Sequence, residues 1–403
     1  MAEVTNYIDR LVAELCPDGV EYRPLGSLGK RNKGTAITAS KMRSLEPGNK
    51  DLRIFAAGST FVDTDSSNIP AKDILHGPAI IVKSRGYIGF EYYEKSFTHK
   101  NEMWSYTLDS SIVDQKFIYY YLLTQAYYLQ ELARSKSVKL PQLAVKDTDS
   151  LEVPVPPMEV QEAIVEILDK FTNLEAELEA ELEARTLQYE YYRDSLFEAL
   201  DCPRVPLGSF ARLVRGSGMP KTDFSESGVG AIHYGQIYTK FGTATAEVIA
   251  HVPEEKAKKL AVVNPGDVIV ANTSENLEDV CKAVAWVGES DIVTGGHATV
   301  IKAPEQNAKF ISYYMATGRF NKDKRRHAFG TKVIDVAPKN LAKIEFPLPP
   351  LEEQQRIVDI LDRFDALTSS LSEGLPAELA ARRSQYEYYR DQLLTFPRKG
   401  ENQ

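Results

Sequence analysis

The sequence predicts a mixed α/β fold in which two globular α/β domains are joined by two long helices that pair as an antiparallel coiled coil. Three observations support this prediction. The chain has 403 residues, which is more than a single core usually holds. It contains one unit twice, which predicts a pseudo-two-fold internal repeat. Each copy ends in a long segment whose apolar residues keep heptad spacing, the pattern of a paired helix.

The duplication is visible in four pairs of matching segments. Two of these pairs share an offset of 193 residues, and QYEYYRD recurs at 197, so the second copy holds four more residues between its motifs. Residues 29–115 and 211–308 share almost nothing, which indicates a repeated frame around different contents. The matching segments are LEVPVPPMEVQEAIVEILDKF (151–171) with IEFPLPPLEEQQRIVDILDRF (344–364), KFIYYY (116–121) with KFISYY (309–314), QYEYYRD (188–194) with QYEYYRD (385–391), and RPLGSL (23–28) with VPLGSF (205–210).

This layout divides the chain into six segments. The connectors VPVPPM and FPLPPL separate each divergent block from the helix that follows, because Pro is excluded from helix and sheet interiors. The predicted segments are an N-terminal helix (1–22), a first α/β domain (23–152), a central helical spacer (153–203), a second α/β domain (204–345), a C-terminal helical spacer (346–398) and a tail (399–403).

The first block contains a strand candidate, PAIIVKSRGYIGFEYY (78–93), in which Gly86 and Gly89 predict a hairpin or a bulge. FTHKNEMWSYTL (97–108) follows, and a helix is predicted from Asp114 to Ala133. The block therefore has the mixed character of an α/β domain.

The central helix is predicted over 159–200, with a length of roughly 60 Å. Residues 174–185 read LEAELEAELEAR, in which Glu-Ala-Glu-Leu occurs twice in succession. Each four-residue unit turns the helix face by roughly 40° and lengthens the helix by roughly 6 Å. We interpret the repeat as a spacer that sets a distance, and the alternative is a solvated Glu-rich helix face.

The second block places AIHYGQIYTKFGT (231–243) before NPGDVIVANTSENLEDVCKAVAWV (264–287), where Pro-Gly-Asp predicts a turn into a strand. IVTGGHATVIKA (292–303), a helix around 310–317 and the basic stretch KDKRRHAFGTK (322–332) follow.

The C-terminal helix repeats the heptad pattern of the central one. Its four extra residues predict a stutter that unwinds the coil locally, and Gly374 and Pro376 predict a break or a kink. Such long amphipathic helices need a partner, and the simplest partner of one copy is the other. The residues expected along the paired helices are Phe171, Leu178, Leu182, Tyr189, Tyr192, Phe364, Leu371, Tyr386 and Tyr389.

Charge is distributed unevenly along the chain. The net charge of −9 argues against a nucleic-acid partner for the whole chain, but residues 151–203 alone hold 14 acidic and 3 basic residues. The two blocks are mildly basic, with 17 basic and 13 acidic residues over 24–150 and 19 and 14 over 204–344. This asymmetry is typical of DNA-contacting modules, although the Glu preference of long helices explains part of it.

Several classes of protein are disfavoured. No apolar run is long enough for a membrane span and the start lacks the order of a signal peptide, so we expect a cytoplasmic protein without membrane contact. Three cysteines without a CxxC pair support neither disulfides nor a zinc site. The motifs GxxxxGK[ST], HExxH and GxSxG are absent, as is the Pro-Pro-aromatic motif of amino-methyltransferases. His233 and His297 have no metal partner by spacing, so we expect a binding component without catalysis, metal or cofactor.

The duplicated P-x-P-P-[ML]-E-x-Q-x-x-I-V-x-I-L-D-[KR]-F motif, the Glu-Ala-Glu-Leu repeat and the twin QYEYYRD resemble the specificity subunits of type I restriction–modification enzymes. The resemblance covers the layout of the entire chain, and GDVIVANTSENLEDVCKAVAWV and RGYIG look like cores of target recognition domains. It implies that each block recognises one half of a bipartite DNA site. It further implies two methyltransferase subunits with S-adenosylmethionine, two motor-nuclease subunits with ATP and Mg, and no catalytic activity in this chain.

In the major groove, Arg and Lys bind guanine and Asn and Gln bind adenine, while other basic groups bind phosphate. Each residue proposed below as a DNA contact could equally be an ordinary surface residue, and only the clustering of these residues in loops favours DNA contact. The candidates are Lys83, Arg85, Tyr87, Lys100 and Asn101 in the first block, Tyr234, Gln236, Tyr238, Lys240, Asn272, Thr273 and His297 in the second, and Arg325, Arg326 and Lys332 for phosphate.

Three alternatives stay open at this point. A coiled-coil adaptor without DNA contact explains the helices but not two divergent, mildly basic blocks in a repeated frame. A stand-alone nuclease is permitted by scattered carboxylates such as Asp267 and Glu275, without a motif to support it. A specificity subunit of a methylation-only system would have the same sequence features.

Overall fold

The computed structural model describes residues 2–45, 50–137, 139–368 and 374–400. The chain forms two compact units, one of Met1–Glu177 with Ala380–Gln403 and one of Leu178–Leu379. The division falls inside the two long helical segments, so each unit contains one divergent block and parts of both segments. The six segment bounds drawn from the sequence remain a prediction.

The first unit is built from a block of short strands followed by a long helix. Its elements are α1 (Ala2–Leu15), β1 (Tyr22–Pro24), β2 (Gly29–Lys33), α2 (Ala39–Arg43), β3 (Leu52–Phe55), β4 (Phe61–Thr64), β5 (Leu75–His76), β6 (Ala79–Lys83), β7 (Gly89–Tyr93), β8 (Ser96–His99), β9 (Trp104–Leu108), α3 (Gln115–Lys136), α4 (Val145–Asp149), β10 (Glu152–Pro154) and the first half of α5 (Met158–Glu198).

The second unit has the same order of strands, then helices. Its elements are β11 (Arg204–Pro206), α6 (Leu207–Phe210), β12 (Arg212–Arg215), β13 (Val229–Ile232), α7 (Tyr234–Thr239), β14 (Ala244–Thr245), β15 (Ala250–Val252), α8 (Glu254–Ala257), β16 (Ala261–Val263), β17 (Val268–Ala271), β18 (Thr273–Ser274), β19 (Ala283–Trp286), β20 (Ile292–Thr294), β21 (Ala298–Lys302), α9 (Ala308–Met315), α10 (Gly318–Lys324), β22 (Ile334–Asp335), α11 (Pro338–Leu341), β23 (Glu345–Pro347), α12 (Leu351–Thr368) and the start of α13 (Gly374–Leu393).

The two blocks share a sheet topology that their sequences do not reveal. In the first unit the strand orders are β2-β9-β6-β7 and β4-β3-β8-β5, and in the second they are β12-β21-β17-β19-β14 and β15-β13-β20-β16. The second of these sheets in each unit has one parallel pair at its centre, β3 with β8 and β13 with β20. Within these sheets the strands correspond one to one, apart from β14 in the second unit, which also has the two-stranded sheet β18-β22. The duplication therefore extends through the divergent contents.

The predicted hairpin over 78–93 is confirmed, since β6 and β7 pair antiparallel from Ala79↔Tyr93 to Lys83↔Gly89. The predicted turn before β17 is also confirmed, and Gly266 there adopts a φ of +88°. In each unit, the sheet that contains β9 or β21 packs its apolar face on helices. Ile80 and Tyr106 meet Phe117 of α3 in the first core, and Val268 meets Phe310 of α9 in the second.

The repeated frame is held by hydrogen bonds that occur twice, at residues 193 apart. A buried Gln at the start of the long helix caps the preceding helix and binds the Pro-rich connector. Gln161 Oε1 accepts from Asp114 N at 2.7 Å and its Nε2 donates to Pro156 O at 2.7 Å. The same two bonds join Gln354 to Asn307 N at 3.0 Å and to Pro349 O at 2.9 Å.

An acidic residue about two turns further along each long helix binds the block's own helix. In the first unit Lys116 Nζ lies 2.7 Å from Asp169, whose other oxygen accepts from the Tyr120 hydroxyl at 2.6 Å. In the second, Lys309 and the Tyr313 hydroxyl each lie 2.8 Å from Asp362. Each frame therefore fixes its helix against its own α/β block.

The long helical segments pair within each unit. In the first, the Phe171 ring contacts Tyr386 and Tyr389 at 6.3 and 5.9 Å, and Glu175 accepts from Arg383 at 2.6 Å, so the two segments run antiparallel. In the second, the rings of Tyr192 and Phe364 stack at 5.8 Å. Each pair joins the phenylalanine of one copy to the QYEYYRD tyrosines of the other.

Two sequence expectations concern the C-terminal helical segment. The break or kink predicted at Gly374 and Pro376 lies at the edge of the described residues, where Gly374, the first described residue of α13, has a φ of +75°. Leu371, expected along the paired helices, lies outside the described residues. Within the described chain, no helix has the length and apolarity needed to cross a membrane.

Candidate nucleic-acid interface

The first unit presents a candidate surface at the turn between β6 and β7. Gly86 adopts a φ of +80° there, and the turn is held by Gln130, which accepts from Ile88 N at 2.8 Å and donates to the Gly86 carbonyl at 3.3 Å. Arg85 is exposed on this turn, and Tyr87 is 76% exposed. A large aromatic ring and a guanidinium are thus displayed on a turn whose backbone is fixed.

Lys100 and Asn101 lie beside this turn, in the connection between β8 and β9. The Ser84 hydroxyl donates to the Glu102 carbonyl at 2.5 Å, which joins the two loops. Lys100 Nζ lies 2.6 Å from the Glu102 carboxylate, and Asn101 is exposed. The structure therefore brings four of the five candidates of the first block together on two adjacent loops.

Lys83, the fifth candidate, occupies the last position of β6. Its Nζ lies 2.6 Å from Glu91 on the neighbouring strand, and its side chain is mostly buried. Lys83 can contact DNA only if its ion pair with Glu91 breaks.

Sequence reasoning missed His99, which is fully buried beneath these loops. Its Nε2 lies 3.2 Å from the Ser105 hydroxyl and its Nδ1 3.2 Å from the Lys100 carbonyl. Burial lowers the pKa of His99 to about 4, so the ring is neutral near pH 7. Its position between β8 and the Lys100 loop was not visible in the sequence, because it depends on pairing between distant strands.

In the second unit the candidates converge around α7. His233 caps this helix, with its Nδ1 accepting from Gly235 N at 3.1 Å, and the Gln236 side chain returns the capping bond to His233 N at 2.9 Å. The amide oxygen of Gln236 is therefore engaged in the cap. The His233 and Tyr234 rings lie 4.4 Å apart.

His297 completes this cluster from the loop before β21. It has a φ of +66°, rare for a residue with a side chain, and its ring is exposed. The ring Nδ1 lies 3.1 Å from the Thr273 hydroxyl, and the ring centroid lies 5.0 Å from that of Tyr234. The Tyr238 hydroxyl donates to the Thr273 carbonyl at 2.6 Å, so α7 and both loops form one connected surface.

Asn272 is placed differently from its neighbour Thr273. It is fully buried, its backbone N donates to the His297 carbonyl at 2.7 Å, and neither side-chain atom has a hydrogen-bond partner. A buried amide does not fit a direct base contact in this conformation. The sequence did not reveal this burial, because it depends on the pairing of β18, which follows Asn272, with the distant strand β22.

The phosphate candidates lie on exposed backbone around a short 3₁₀ helix, Arg325–His327. Arg325 and Arg326 are exposed and face Glu278 and Asp323 at 3.8 and 3.5 Å, distances of weak surface pairs. Lys240, at the end of α7, and Lys332 are exposed as well. All four of these basic residues are thus on the surface of the second unit.

The two carboxylates considered for a nuclease site do not form one: one is paired with a lysine, and the other lies on an exposed loop. Asp267 is buried and paired with Lys302 at 2.5 Å, and Glu275 lies exposed on a loop. Over the ranges that the structure describes, no group of three or more His, Cys, Asp or Glu side chains could hold a metal ion. His233 and His297 do converge, but on Tyr234, which lies between them.

Comparison with known proteins agrees with this architecture. The sequence profile described as "Type I restriction modification DNA specificity domain" matches residues 17–184 and 204–381. The chain is 29% identical over 426 aligned residues to the type I restriction enzyme EcoR124I/EcoR124II specificity subunit of Escherichia coli, with 98% of each chain covered.

Two solved structures share the fold. One is the S subunit of a type I restriction–modification system from M. genitalium, with a TM-score of 0.53, 16% identity and 93% and 96% coverage of the two chains. The other comes from work on complex assembly and conformational transition of the type I R-M system, with a TM-score of 0.54, 15% identity and 93% and 94% coverage. Because the profile matches twice and spans most of the sequence, the chain belongs to the family of type I restriction–modification DNA specificity domains, as a specificity subunit.

Proposed function

We propose that this specificity subunit recognises a bipartite DNA sequence, with each α/β block binding one half. The observation that carries the proposal is that two blocks of the same topology present different side chains from corresponding loops. A shared scaffold with different loop residues fits two binding modules that distinguish different sequences.

In the first block we propose Arg85, Tyr87 and Asn101 as base contacts, with Lys83 and Lys100 at the edge of the site. Arg and Asn donate to guanine and adenine edges in the major groove. The fixed backbone of the 84–88 turn supports this role, because its two exposed side chains need little ordering on binding.

In the second block we propose His297, Tyr234 and Thr273 for base contact, with Gln236 and Tyr238 positioning them. Lys240, Arg325, Arg326 and Lys332 would bind phosphate and supply salt-dependent affinity. The connected cluster around α7 supports this assignment, since its polar atoms hold one another in place.

The paired helices are proposed to dock two methyltransferase subunits and to set the distance between the half-sites. In that assembly S-adenosylmethionine would belong to the methyltransferase, and ATP and Mg to two motor-nuclease subunits, leaving this chain without catalytic chemistry or cofactor. The whole-chain similarity to the EcoR124I/EcoR124II subunit supports such an assembly. A methylation-only system without the motor-nuclease remains the second candidate, and the neighbouring genes distinguish the two.

A gel-shift titration tests the proposal. The chain, in complex with its methyltransferase partner, is titrated onto duplex DNA between 50 and 200 mM salt. Binding that depends on six or more phosphate contacts should weaken by about 10³-fold or more over this range. A complex that forms but does not bind DNA at low salt would favour the coiled-coil adaptor instead.

A further inference from the structure

The second unit encloses a cavity that the proposed base contacts do not occupy. It has a volume of about 540 Å³ and lies between the end of α7, helices α9 and α10, and the parts of α5 and α12 in the same unit. Clefts of 300 to 1,000 Å³ typically hold small ligands. Aromatic side chains of Tyr189, Tyr238 and Phe241 form part of its wall.

Lys324 is the most unusual residue of this wall. It is 2% exposed, and its Nζ donates to the carbonyls of Glu278 and Val280 at 2.7 Å each. In the part of the chain that the structure describes, no carboxylate lies within 4.0 Å of this nitrogen. A buried ammonium is thus held by two neutral acceptors and retains a third N–H without a partner among the described residues.

The acidic residues near Lys324 are engaged elsewhere. Glu278 faces Arg325 at 3.8 Å, and Asp279 accepts from the Asn276 side chain at 2.7 Å. Burial lowers the pKa of Lys324, which agrees with an ammonium group that has no carboxylate close to it among the described residues. An unpaired charge in a low-dielectric site is unfavourable unless an anion approaches it.

Other cations line the same cavity. Lys282 Nζ donates to the Tyr238 carbonyl at 3.2 Å, Arg193 is 8% exposed and paired with Asp194, and Lys240 is exposed at the rim. Glu278 and Asp365 are the two carboxylates of the lining, against four cations. The lining therefore has an excess of positive charge.

The buried cation is not part of the duplicated frame. At the offset of 193 residues, the first copy has Glu131 in place of Lys324. Glu131 pairs with Arg134 at 2.5 Å on the exposed surface of α3. The frame therefore does not require a lysine here.

We propose that this cavity binds a phosphate group, with Lys324 and Lys282 as its ligands. Phosphate suits the site because Lys324 and Lys282 both line the cavity, and phosphate accepts charge-assisted hydrogen bonds from several directions. Its source is either a free phosphate compound or a backbone phosphate of bound DNA. Only the second source rests on the proposed function.

Calorimetric titration of the full chain with inorganic pyrophosphate, without DNA, is the first test. Lys324→Met is compared with Lys322→Met, which removes an exposed lysine of the same helix two residues away. We expect one site per chain, unchanged within about twofold in Lys322→Met and weakened at least about tenfold in Lys324→Met. Lys282→Met should weaken it similarly, which keeps the test valid should Lys324→Met not fold.

The second arm uses DNA in complex with the methyltransferase partner. If DNA supplies the phosphate, a neutral methylphosphonate at one backbone position should weaken binding by about tenfold for wild type, while Lys324→Met should be insensitive to it. Pyrophosphate binding that is lost in Lys324→Met and Lys282→Met supports a free phosphate compound as the source. An effect of methylphosphonate at one DNA position that Lys324→Met abolishes supports a DNA phosphate as the source. The proposal is overturned if pyrophosphate binding and DNA binding are both unchanged in Lys324→Met and Lys282→Met relative to Lys322→Met.

Discussion

His297 combines a strained backbone with an exposed ring. A non-glycine residue at positive φ is disfavoured by about 1–2 kcal/mol, and such residues are concentrated at functional sites. Here the conformation is held by the Thr273 hydroxyl and the Tyr234 ring. The sequence showed only a histidine after two glycines, and the left-handed backbone could not be inferred because it depends on contacts from α7 and the Thr273 loop.

Replacing His297 by glycine separates binding from stability. His297→Gly should keep the Tm close to that of the wild type, since glycine accepts this φ. His297→Ala should lower the free energy of unfolding by about 1 kcal/mol, since alanine keeps the unfavourable φ. Both should weaken binding to the cognate duplex at least about tenfold, with non-specific DNA affinity unchanged. Fluorescence anisotropy and thermal denaturation measure the two effects. His251→Ala, in β15, is the control, and cognate binding by His297→Gly at wild-type affinity would refute the assignment.

His99 predicts a dependence of stability on pH. Its pKa is lowered from 6.5 to about 4 by burial, so the unfolded chain binds more protons than the folded chain between these values. The contribution of neutral His99 to the free energy of unfolding is fully present above pH 6.5 and is lost as the pH falls towards 4. The total loss is about 3 kcal/mol.

The contribution of His99 can be isolated by substitution. His99→Gln should reduce the loss of Tm between pH 7 and pH 5, measured by scanning calorimetry. His76→Gln, at an exposed histidine of the same unit, should leave that loss unchanged. Equal pH dependence in all three proteins would mean that folding does not lower the pKa of His99.

The long helices are fixed to their blocks by the twin glutamines. Gln161 and Gln354 are both fully buried, and each satisfies a helix N-terminus and a Pro-rich connector. The sequence predicted the helices and connectors well, because heptad spacing and proline act locally. The role of the glutamines was not predictable, since the helix N-termini that they cap lie 47 residues away in the chain.

Gln161→Leu and Gln354→Leu should each destabilise their own unit by about 2–4 kcal/mol. Leucine preserves the volume but leaves a backbone N–H and a carbonyl buried without partners. Gln188→Leu, on the exposed face of α5, should change stability by less than about 0.5 kcal/mol. Chemical denaturation measures the differences, and equal effects of the three substitutions would contradict the account of the frame.

The Glu-Ala-Glu-Leu repeat lies within the continuous helix α5, and the division between the two units falls inside it, between Glu177 and Leu178. Leu178 and Leu182 are half-buried while the glutamates at 177, 179 and 181 are exposed. The repeat lies outside both α/β blocks, so a change in its length leaves the strands of either block in place. That property suits a spacer.

Deleting Glu179–Leu182 should shorten the gap between half-sites by about two base pairs, at roughly 6 Å of helix and 3.4 Å per base pair. The half-sites themselves should not change, since no proposed base contact lies on α5. Methylated-motif sequencing of a host with the deletion variant measures the gap. An unchanged gap, or altered half-sites, would contradict the spacer interpretation and favour a plain solvated helix face.

The whole molecule is one frame used twice around contents that diverged in sequence but kept their topology. The frame was predictable because its motifs recur at a fixed offset. The shared order of strands was not, since strand pairing is set by packing across many residues rather than by local pattern. Surface candidates such as Arg85 and Tyr87 lie where a turn was predicted. The prediction that Asn272 is on the surface was wrong, because its neighbour Thr273 pairs with Asp335, which lies 62 residues later in the chain.

Sequencing the methylated bases of a host that carries this chain and its methyltransferase tests whether the two blocks act as separate readers of DNA. One bipartite motif is expected, with two specific half-sites separated by a gap of fixed length. A matched host without the specificity chain should lack this methylation. A continuous motif, or methylation that does not depend on this chain, would contradict the account.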